Sequence, residues 1–178
     1  MTHATVVAGV VAVILGVTLA EARVSRANER ALLARGARGP RGDLFALVAV
    51  LYPVLLIGMG LEGLQRPVRA SVPNEPAPAW FLSGALLFAA SKALKYWAIA
   101  ALGARWTFRI LVVPGAPPVR TGPYRFVAHP NFIAVIGELA GAAMMCGALI
   151  TGTAGVGVYS LVLWRRARIE QQALKEYA

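Results

Sequence analysis

Long apolar runs constrain this chain more than any other feature of its sequence. The run from Ala4 to Ala20 contains no charged residue, and the stretch from Pro130 to Trp164 is almost wholly apolar. A helix needs about 20 apolar residues to cross a hydrocarbon core about 30 Å thick. Only 15% of the 178 residues are charged, whereas a soluble domain usually carries about 25%. The sequence therefore predicts an all-α integral membrane protein with about five transmembrane helices.

The apolar runs divide one predicted domain, residues 1–178, into five spans. They cover approximately residues 4–20, 44–64, 80–102, 131–150 and 152–166. A single straight helix over residues 130–164 would be about 50 Å long, which is too long for the bilayer. We therefore expect a C-terminal helical hairpin with its turn at Thr151–Gly155. The proline-rich residues 65–79 are expected to form an external loop.

The positive charges predict the orientation of these spans. The loop after the first span carries six Lys or Arg residues, residues 103–129 carry four, the tail after Trp164 carries four, and the loop at residues 65–79 carries two. Because Lys and Arg concentrate in cytoplasmic loops, the amino terminus is expected outside and the tail inside. The arginine and alanine bias indicates a bacterial chain from a GC-rich genome, hence the plasma membrane.

The formal charge of +10 raises nucleic acid as a possible partner. The arginines lie between apolar runs rather than along one DNA-reading element, so nucleic-acid binding is disfavoured. Cytoplasmic orientation of the loops and attraction to anionic membrane lipids account for the charge instead.

The first apolar run has two interpretations. Ala20-Glu21-Ala22 resembles a signal-peptidase site, which would make the run a cleaved signal peptide. Signal peptides carry positive charge before the apolar region, however, and here the arginines follow it. The pattern favours an uncleaved first helix.

Three charged residues lie inside a predicted span and more than five residues from either of its ends. Lys92, Lys95 and Glu138 would be expensive in lipid unless they face a protein interior or a wet cavity. Glu138 either pairs with these lysines or faces a binding site. Gly137 and Gly141 form a small-xxx-small pattern that predicts close packing of the hairpin arms.

Two polar segments flank the terminal hairpin, at residues 120–132 and 165–174. A hairpin brings its ends together, so we expect both segments to meet at one membrane face. His129 precedes Pro130 and would cap the fourth helix, whose positive N-terminal end suits a carboxylate. Arg166 and Glu170 are four residues apart and share one helical face. The alternatives are a simple helix cap and an interfacial ion pair without chemical importance.

The two segments together resemble a known family. Gly122-Pro-Tyr-Arg-Phe-Val-Ala-His-Pro-Asn-Phe132, an apolar hairpin, and Arg166-Ala-Arg-Ile-Glu-Gln-Gln-Ala-Leu174 are similar to the hallmark of the isoprenylcysteine carboxyl methyltransferases and their phospholipid methyltransferase relatives. The resemblance covers mainly residues 94–177 and extends to the short bacterial branch. It implies S-adenosylmethionine as methyl donor, bound on the cytoplasmic side, and a lipid-like acceptor that arrives through the membrane interior.

The resemblance also implies roles for particular residues. Arg166 matches the arginine that faces the substrate, and Glu170 would anchor the cofactor. His129 would fix the loop, or act as a base for an enolic or phenolic acceptor. No metal site is expected. The residues implied to bind the cofactor are Arg109, Ala116, Pro117, Pro118, Val119, Tyr124, His129, Pro130, Asn131, Phe132 and Glu170.

Three positions depart from the family pattern. Ala128 stands where an arginine is usual, Phe132 replaces a tyrosine, and Gln171 replaces a second glutamate. These changes weaken prenylcysteine as the acceptor, and the short bacterial branch is similar to enzymes that methylate oxygen on long-chain alkylpyrones. The acceptor and the oligomeric state therefore stay open. The alternatives are a non-catalytic bundle that binds lipid or a partner protein, and a small transporter.

Overall fold

The chain folds into five α-helices, and no strand is present in the residues that the computed structural model describes, 2–69 and 78–177. Two short 3₁₀ helices lie in the long connection before the fourth helix, at Gly103–Arg105 and Gly122–Arg125. Residues 70–77 of the predicted external loop lie outside the described part. The α-helices are α1 (His3–Ala34), α2 (Phe45–Arg69), α3 (Pro78–Leu102), α4 (Pro130–Cys146) and α5 (Leu149–Tyr177).

Three of the helices, against about five expected, have the length and composition of membrane spans. α1, α2 and α3 are each long and apolar enough to cross a bilayer, and α4 is a shorter apolar helix of 17 residues. Large apolar side chains point outward: Val13, Leu86 and Leu161 are each more than 60% exposed. Such a surface would be unfavourable in water and is suited to lipid. The predicted all-α membrane fold with a C-terminal hairpin is confirmed.

α1 runs without a break through Ala20-Glu21-Ala22. Val7 and Ile14, on the amino-terminal side of this stretch, are almost completely buried in the main apolar core. This arrangement agrees with an uncleaved first helix.

The hairpin turn lies at Gly147 and Ala148, so the prediction of a turn at Thr151–Gly155 was wrong. Gly147 has φ +67°, and the N–H of Ala148 donates to the carbonyl of Ala143 at 2.9 Å. This is a helix C-cap that favours glycine. The Glu62 carboxylate accepts hydrogen bonds from the N–H groups of Ile150 and Thr151, at 2.9 and 2.7 Å. It therefore satisfies two orphan donors at the start of α5.

The small-residue pattern in α4 packs against α3 rather than α5. A Cβ on Gly141 would lie 2.7 Å from the carbonyl oxygen of Gly84 and 2.9 Å from the Cβ of Phe88. Gly137 faces Ser91 in the same way. Close packing within the chain was predicted correctly, but its expected partner, the second hairpin arm, was wrong.

A cluster of four charges, which we call the buried ion cluster, joins α1, α3 and α4. Lys92 Nζ lies 2.7 Å from Glu21 Oε1 and 3.2 Å from Glu138 Oε2, and Lys95 Nζ lies 2.5 Å from Glu21 Oε2 and 3.4 Å from Glu138 Oε1. Tyr52 of α2 donates to Glu138 at 3.1 Å. All four charges are buried. The expectation that Glu138 pairs with the lysines is confirmed, and Glu21 is the partner that the sequence did not indicate.

Glu138→Ala should destabilise the fold strongly. It leaves two buried lysines sharing one carboxylate, and removing one member of a buried ion pair costs roughly 3–5 kcal/mol. Thermal unfolding of the purified protein in detergent measures the loss. The matched control is Glu176→Ala, because Glu176 is exposed near the end of α5 and exposed substitutions usually change stability by less than about 0.5 kcal/mol. Equal melting temperatures for the two variants would contradict a structural role for the cluster.

Candidate active site

The two ends of the terminal hairpin meet at one end of the bundle, as expected. His129 Nδ1 lies 3.2 Å from Glu170 Oε2, and His129 Nε2 lies 3.2 Å from Gln171 Nε2. The imidazole stacks on the ring of Phe132, with centroids 5.2 Å apart and planes 8° apart. His129 is the N-cap residue of α4 and Pro130 occupies its first turn, as predicted. The hairpin thus brings residues 42 positions apart into contact.

The long connection between α3 and α4 is fixed to the carboxyl-terminal half of α1. Asn28 Nδ2 donates to the carbonyl of Trp106 at 2.8 Å, and the N–H of Phe108 donates to Ser25 Oγ at 2.7 Å. Both contacts join residues about 80 positions apart in sequence. Residues 106–108 are therefore held in place although they belong to no regular element.

A second set of contacts ties the following residues to the connection between α1 and α2. Arg38 and Val112 exchange two backbone hydrogen bonds of 2.8 Å in an isolated antiparallel bridge. Arg109 pairs with Glu29 at 3.2 Å and with Asp43 at 3.6 Å. Three segments therefore lie at the same end of the bundle. They are the connection between α1 and α2, the long connection before α4, and the C-terminal tail.

These segments enclose a cavity of about 600 Å³, a size typical of small-molecule sites. Its walls come from all five α-helices and the long connection. Pro130 is buried in the first turn of α4 and does not line it. All the other predicted site residues do: Arg109, Ala116, Pro117, Pro118, Val119, Tyr124, His129, Asn131, Phe132, Arg166 and Glu170.

The cavity has a polar end and an apolar end. Glu170, His129 and the prolines of the long connection lie at the polar end. The deepest lining residue on α5 is Tyr159, eleven residues before Glu170, which corresponds to about 16 Å along the helix. Leu15 lines the deep end as well. A ligand with one charged end and one apolar part fits this polarity.

The deep end of the cavity rests on the buried ion cluster. Lys95 and Tyr52 both line the cavity, and the ring of Tyr52 packs edge to face against Tyr159 with centroids 5.9 Å apart. Because Tyr52 also donates to Glu138, the ion pairs between the helices hold this floor in position.

α1 and α2 pack closely toward the end of the bundle opposite the polar end of the cavity, since a Cβ on Gly60 would lie 2.9 Å from Val11. Nearer the polar end, Leu19 of α1 and Ala49 of α2 line the cavity. Leu19 is also 60% exposed.

Tyr124 remains a neutral phenol at the polar end. Its burial, together with the nearby Glu170 carboxylate, raises the pKa of Tyr124 well above its ordinary value. Desolvation and a like charge both disfavour the phenolate. The residue is therefore suited to hydrogen bonding and packing rather than to proton transfer near neutral pH.

Arg166 is buried on the face of α5 that it shares with Glu170, and both residues line the cavity. Its Nη2 donates to the carbonyl of Phe108. The described residues contain no ion pair between Arg166 and Glu170.

Three cavity-lining residues have a buried polar atom without a hydrogen-bond partner among the described residues. They are Trp106 Nε1, Asn131 Oδ1 and Arg166 Nε. Nearly all buried polar groups in folded proteins have such a partner, so each of these atoms needs a specific explanation, such as an ordered water or a catalytic role. Sequence reasoning missed Trp106, because nothing in its local sequence distinguishes it from the other three tryptophans.

Bacterial proteins of similar length resemble this chain almost from end to end. It is 29% identical over 168 residues to "Uncharacterized protein YpbQ" of Bacillus subtilis, covering 94% of this chain and 96% of that one. It is 27% identical over 166 residues to an "Uncharacterized protein" of Haemophilus influenzae, covering 92% and 91%. No solved structure matches. The sequence profile of the isoprenylcysteine carboxyl methyltransferase (ICMT) family matches residues 84–176, which include α4, α5 and the long connection. The chain therefore belongs to the isoprenylcysteine carboxyl methyltransferase family.

Proposed function

We propose that this protein is an S-adenosylmethionine-dependent methyltransferase of the plasma membrane that methylates an oxygen of a lipophilic acceptor. The observation that carries the proposal is the 3.2 Å contact between His129 and Glu170, because it brings both polar segments to one cavity. Family membership supports methyl transfer in general. The polarity of the cavity supports two ligands, a charged one near Glu170 and an apolar one beyond Arg166.

The residues at the polar end fit the chemistry of the methyl donor. S-Adenosylmethionine carries two cationic centres and a carboxylate, and Glu170 offers a partly exposed carboxylate for a cation. The N-terminal end of α4 offers partial positive charge for the donor carboxylate. Arg109, which pairs with Glu29 and Asp43, and Asn131 line the cavity at this end. Backbone groups of residues 116–119 and the rings of Tyr124 and Phe132 complete this end.

The protein's own residues contribute mainly by orientation and exclusion of water. When bound, S-adenosylmethionine would supply an electrophilic methyl group for transfer to the acceptor oxygen. Arg166 holds the acceptor oxyanion by its buried guanidinium, so the oxygen is kept in line with little reorganisation. His129 or Glu170 takes the proton when the acceptor is a neutral enol or phenol.

The acceptor is lipophilic, and its oxygen belongs to a carboxylate, an enol or a phenol. The apolar residues that line the cavity, among them the 60% exposed Leu19 of α1, support arrival from the membrane. With the amino terminus outside, the polar end faces the cytoplasm, where S-adenosylmethionine is made. A prenylcysteine and a long-chain alkylpyrone are the two acceptor types to test.

Glu170→Gln should weaken S-adenosylmethionine binding by about 10- to 100-fold, because a hydrogen bond to a charged group is worth about 1.5–3 kcal/mol. Calorimetric titration of the detergent-solubilised protein measures this affinity. Glu176→Gln is the matched control, an exposed glutamate on the same helix, and it should bind as the wild type does. Wild-type protein that does not bind millimolar S-adenosylmethionine would instead support the non-catalytic alternative.

Arg166→Gln should lower methyl transfer about 100-fold and change cofactor affinity by less than about twofold, because it removes a buried charge from the developing reaction without touching the donor site. Transfer of a radiolabelled methyl group to N-acetyl-S-farnesylcysteine and to a long-chain 4-hydroxy-2-pyrone provides the measurement. Arg168→Gln is the control, since Arg168 is exposed and stacks on Trp164. Unchanged transfer by Arg166→Gln would exclude this role.

A further inference from the structure

A second, smaller groove lies between the two arms of the terminal hairpin. Its volume is about 290 Å³, and its lining side chains come from residues 127–136, around the start of α4, and from residues 160–167 of α5. We call it the outer groove. Ile133 and Trp164 line it and are 51% and 57% exposed. Neither residue lines the main cavity, so the outer groove opens toward the surroundings of the bundle.

The lining of the outer groove is almost wholly apolar. The hydroxyl of Ser160 donates to the carbonyl of Val156 at 2.7 Å, and both ring nitrogens of His129 already contact side chains of α5. The other lining residues are aliphatic or aromatic. A groove with so few free polar groups gains little from binding water and is suited to van der Waals contact with a hydrocarbon chain.

The outer groove runs along the hairpin, away from its polar end. Its lining residues on α5 extend from Ala167 to Ser160, which corresponds to about 10 Å along the helix axis. The acyl chain of a membrane lipid also runs from the membrane surface toward the midplane. The outer groove therefore has the direction that a lipid chain beside the hairpin requires.

A positive charge lies next to the polar end of the outer groove. Val127 lines the groove, and Arg125 and Phe126 directly precede it. The guanidinium carbon of Arg125 lies 4.4 Å from the centre of the Phe126 ring, and Phe126 is 65% exposed. Arg125 is also exposed, and the described part of the chain gives it no ion-pair partner. An exposed guanidinium on an aromatic ring is suited to binding a phosphate.

The outer groove and the main cavity share one wall. Within this wall the rings of His129 and Phe132 are stacked. A ligand in the outer groove would therefore contact the back of the candidate site without entering it. The residues that line both spaces are Ala128, His129, Phe132 and Leu163.

The positions of two arginines distinguish a phospholipid from the methyl acceptor as the occupant. Arg125 does not line the main cavity, and Arg166 does not line the outer groove. A molecule whose charged group binds Arg125 and whose chain fills the outer groove cannot at the same time place an oxygen beside Arg166. A phospholipid has no such requirement, and its phosphate complements Arg125.

We propose that the outer groove and Arg125 form a binding site for an anionic phospholipid of the leaflet that meets the polar end of the bundle. One acyl chain lies in the outer groove and packs against the wall that contains His129 and Phe132. The phosphate pairs with Arg125. This site is separate from the proposed cofactor and acceptor sites, so it does not depend on the proposed function.

Tryptophan quenching by brominated lipid tests the proposal in the full-length protein. Vesicles contain phosphatidylcholine and phosphatidylglycerol, with bromine on the acyl chains of one lipid or the other. Because bromine quenches an indole only at contact distance, the two curves give the preference for phosphatidylglycerol beside each tryptophan. The difference between the wild type and Trp164→Phe isolates the signal of Trp164, and Trp80→Phe isolates that of Trp80.

Trp164 should show a preference of about fivefold for phosphatidylglycerol, because one arginine near the surface contributes about this factor toward an anionic lipid. Trp80, exposed at the opposite end of α3, should show a preference of less than about twofold. Equal quenching of Trp164 by the two lipids would overturn the proposal.

Two variants locate the lipid. Arg125→Gln should lower the preference at Trp164 about fivefold. Its matched control is Arg30→Gln, which removes an exposed arginine of α1 at the same end of the bundle and should change the preference by less than about twofold. Ala167→Phe places a ring in the outer groove without touching the main cavity and should also abolish the preference. Thermal unfolding in detergent shows whether this variant is folded.

Three further outcomes would refute the site. An equal loss in Arg30→Gln and Arg125→Gln would show that only the general surface charge attracts the lipid. An unchanged preference in folded Ala167→Phe would exclude the acyl chain from the outer groove. Relief of Trp164 quenching by N-acetyl-S-farnesylcysteine, with Trp80 unaffected, would assign the groove to the methyl acceptor. Since no measurement uses S-adenosylmethionine, a failure of the proposed function leaves these results interpretable.

Discussion

The buried ion cluster is the interaction on which the rest of the structure depends. Four charges in the interior of a membrane bundle are tolerable only when they neutralise one another at hydrogen-bond distance. Glu21 and Glu138 each contact both Lys92 and Lys95, so α1, α3 and α4 are held in one register. Tyr52 carries this constraint to α2 and to the floor of the cavity. Because these four charges neutralise one another, their position inside the spans is explained without a transport pathway.

The helices were predictable because the bilayer imposes a length that the apolar runs display. The position of the hairpin turn was not predictable, because Gly147 and Gly152 are equally plausible turn residues in a run of small apolar residues. The difference comes from Glu62, which lies 88 positions before Ile150 and caps α5 with its carboxylate. Likewise, the partner of Gly141 could not be read from its own helix, since close packing requires a matching small residue, Gly84, on α3.

The candidate site was partly predictable because the apolar runs indicate a C-terminal hairpin. Once a hairpin is expected, its two ends must meet, and the His129–Glu170 contact follows from chain connectivity. Trp106 was missed because its burial depends on Asn28 and on contacts across the bundle, which no local pattern records. Pro130, in contrast, was predicted as a site residue but does not line the cavity. It belongs to the family motif, yet it acts by starting α4.

The shape of the cavity bears on how two unlike ligands would meet. A water-soluble donor and a membrane-dissolved acceptor require openings on different sides, and a shared wall must hold the reacting oxygen between them. Arg166 lies one helical turn below Glu170 and two turns above Tyr159 on the same face of α5. One helix thus carries the proposed cofactor anchor, the proposed oxyanion donor and the floor of the cavity in sequence. Methyl transfer depends on close alignment of the reacting groups, and in the proposed reaction one continuous helix positions these residues without coordinating separate domains.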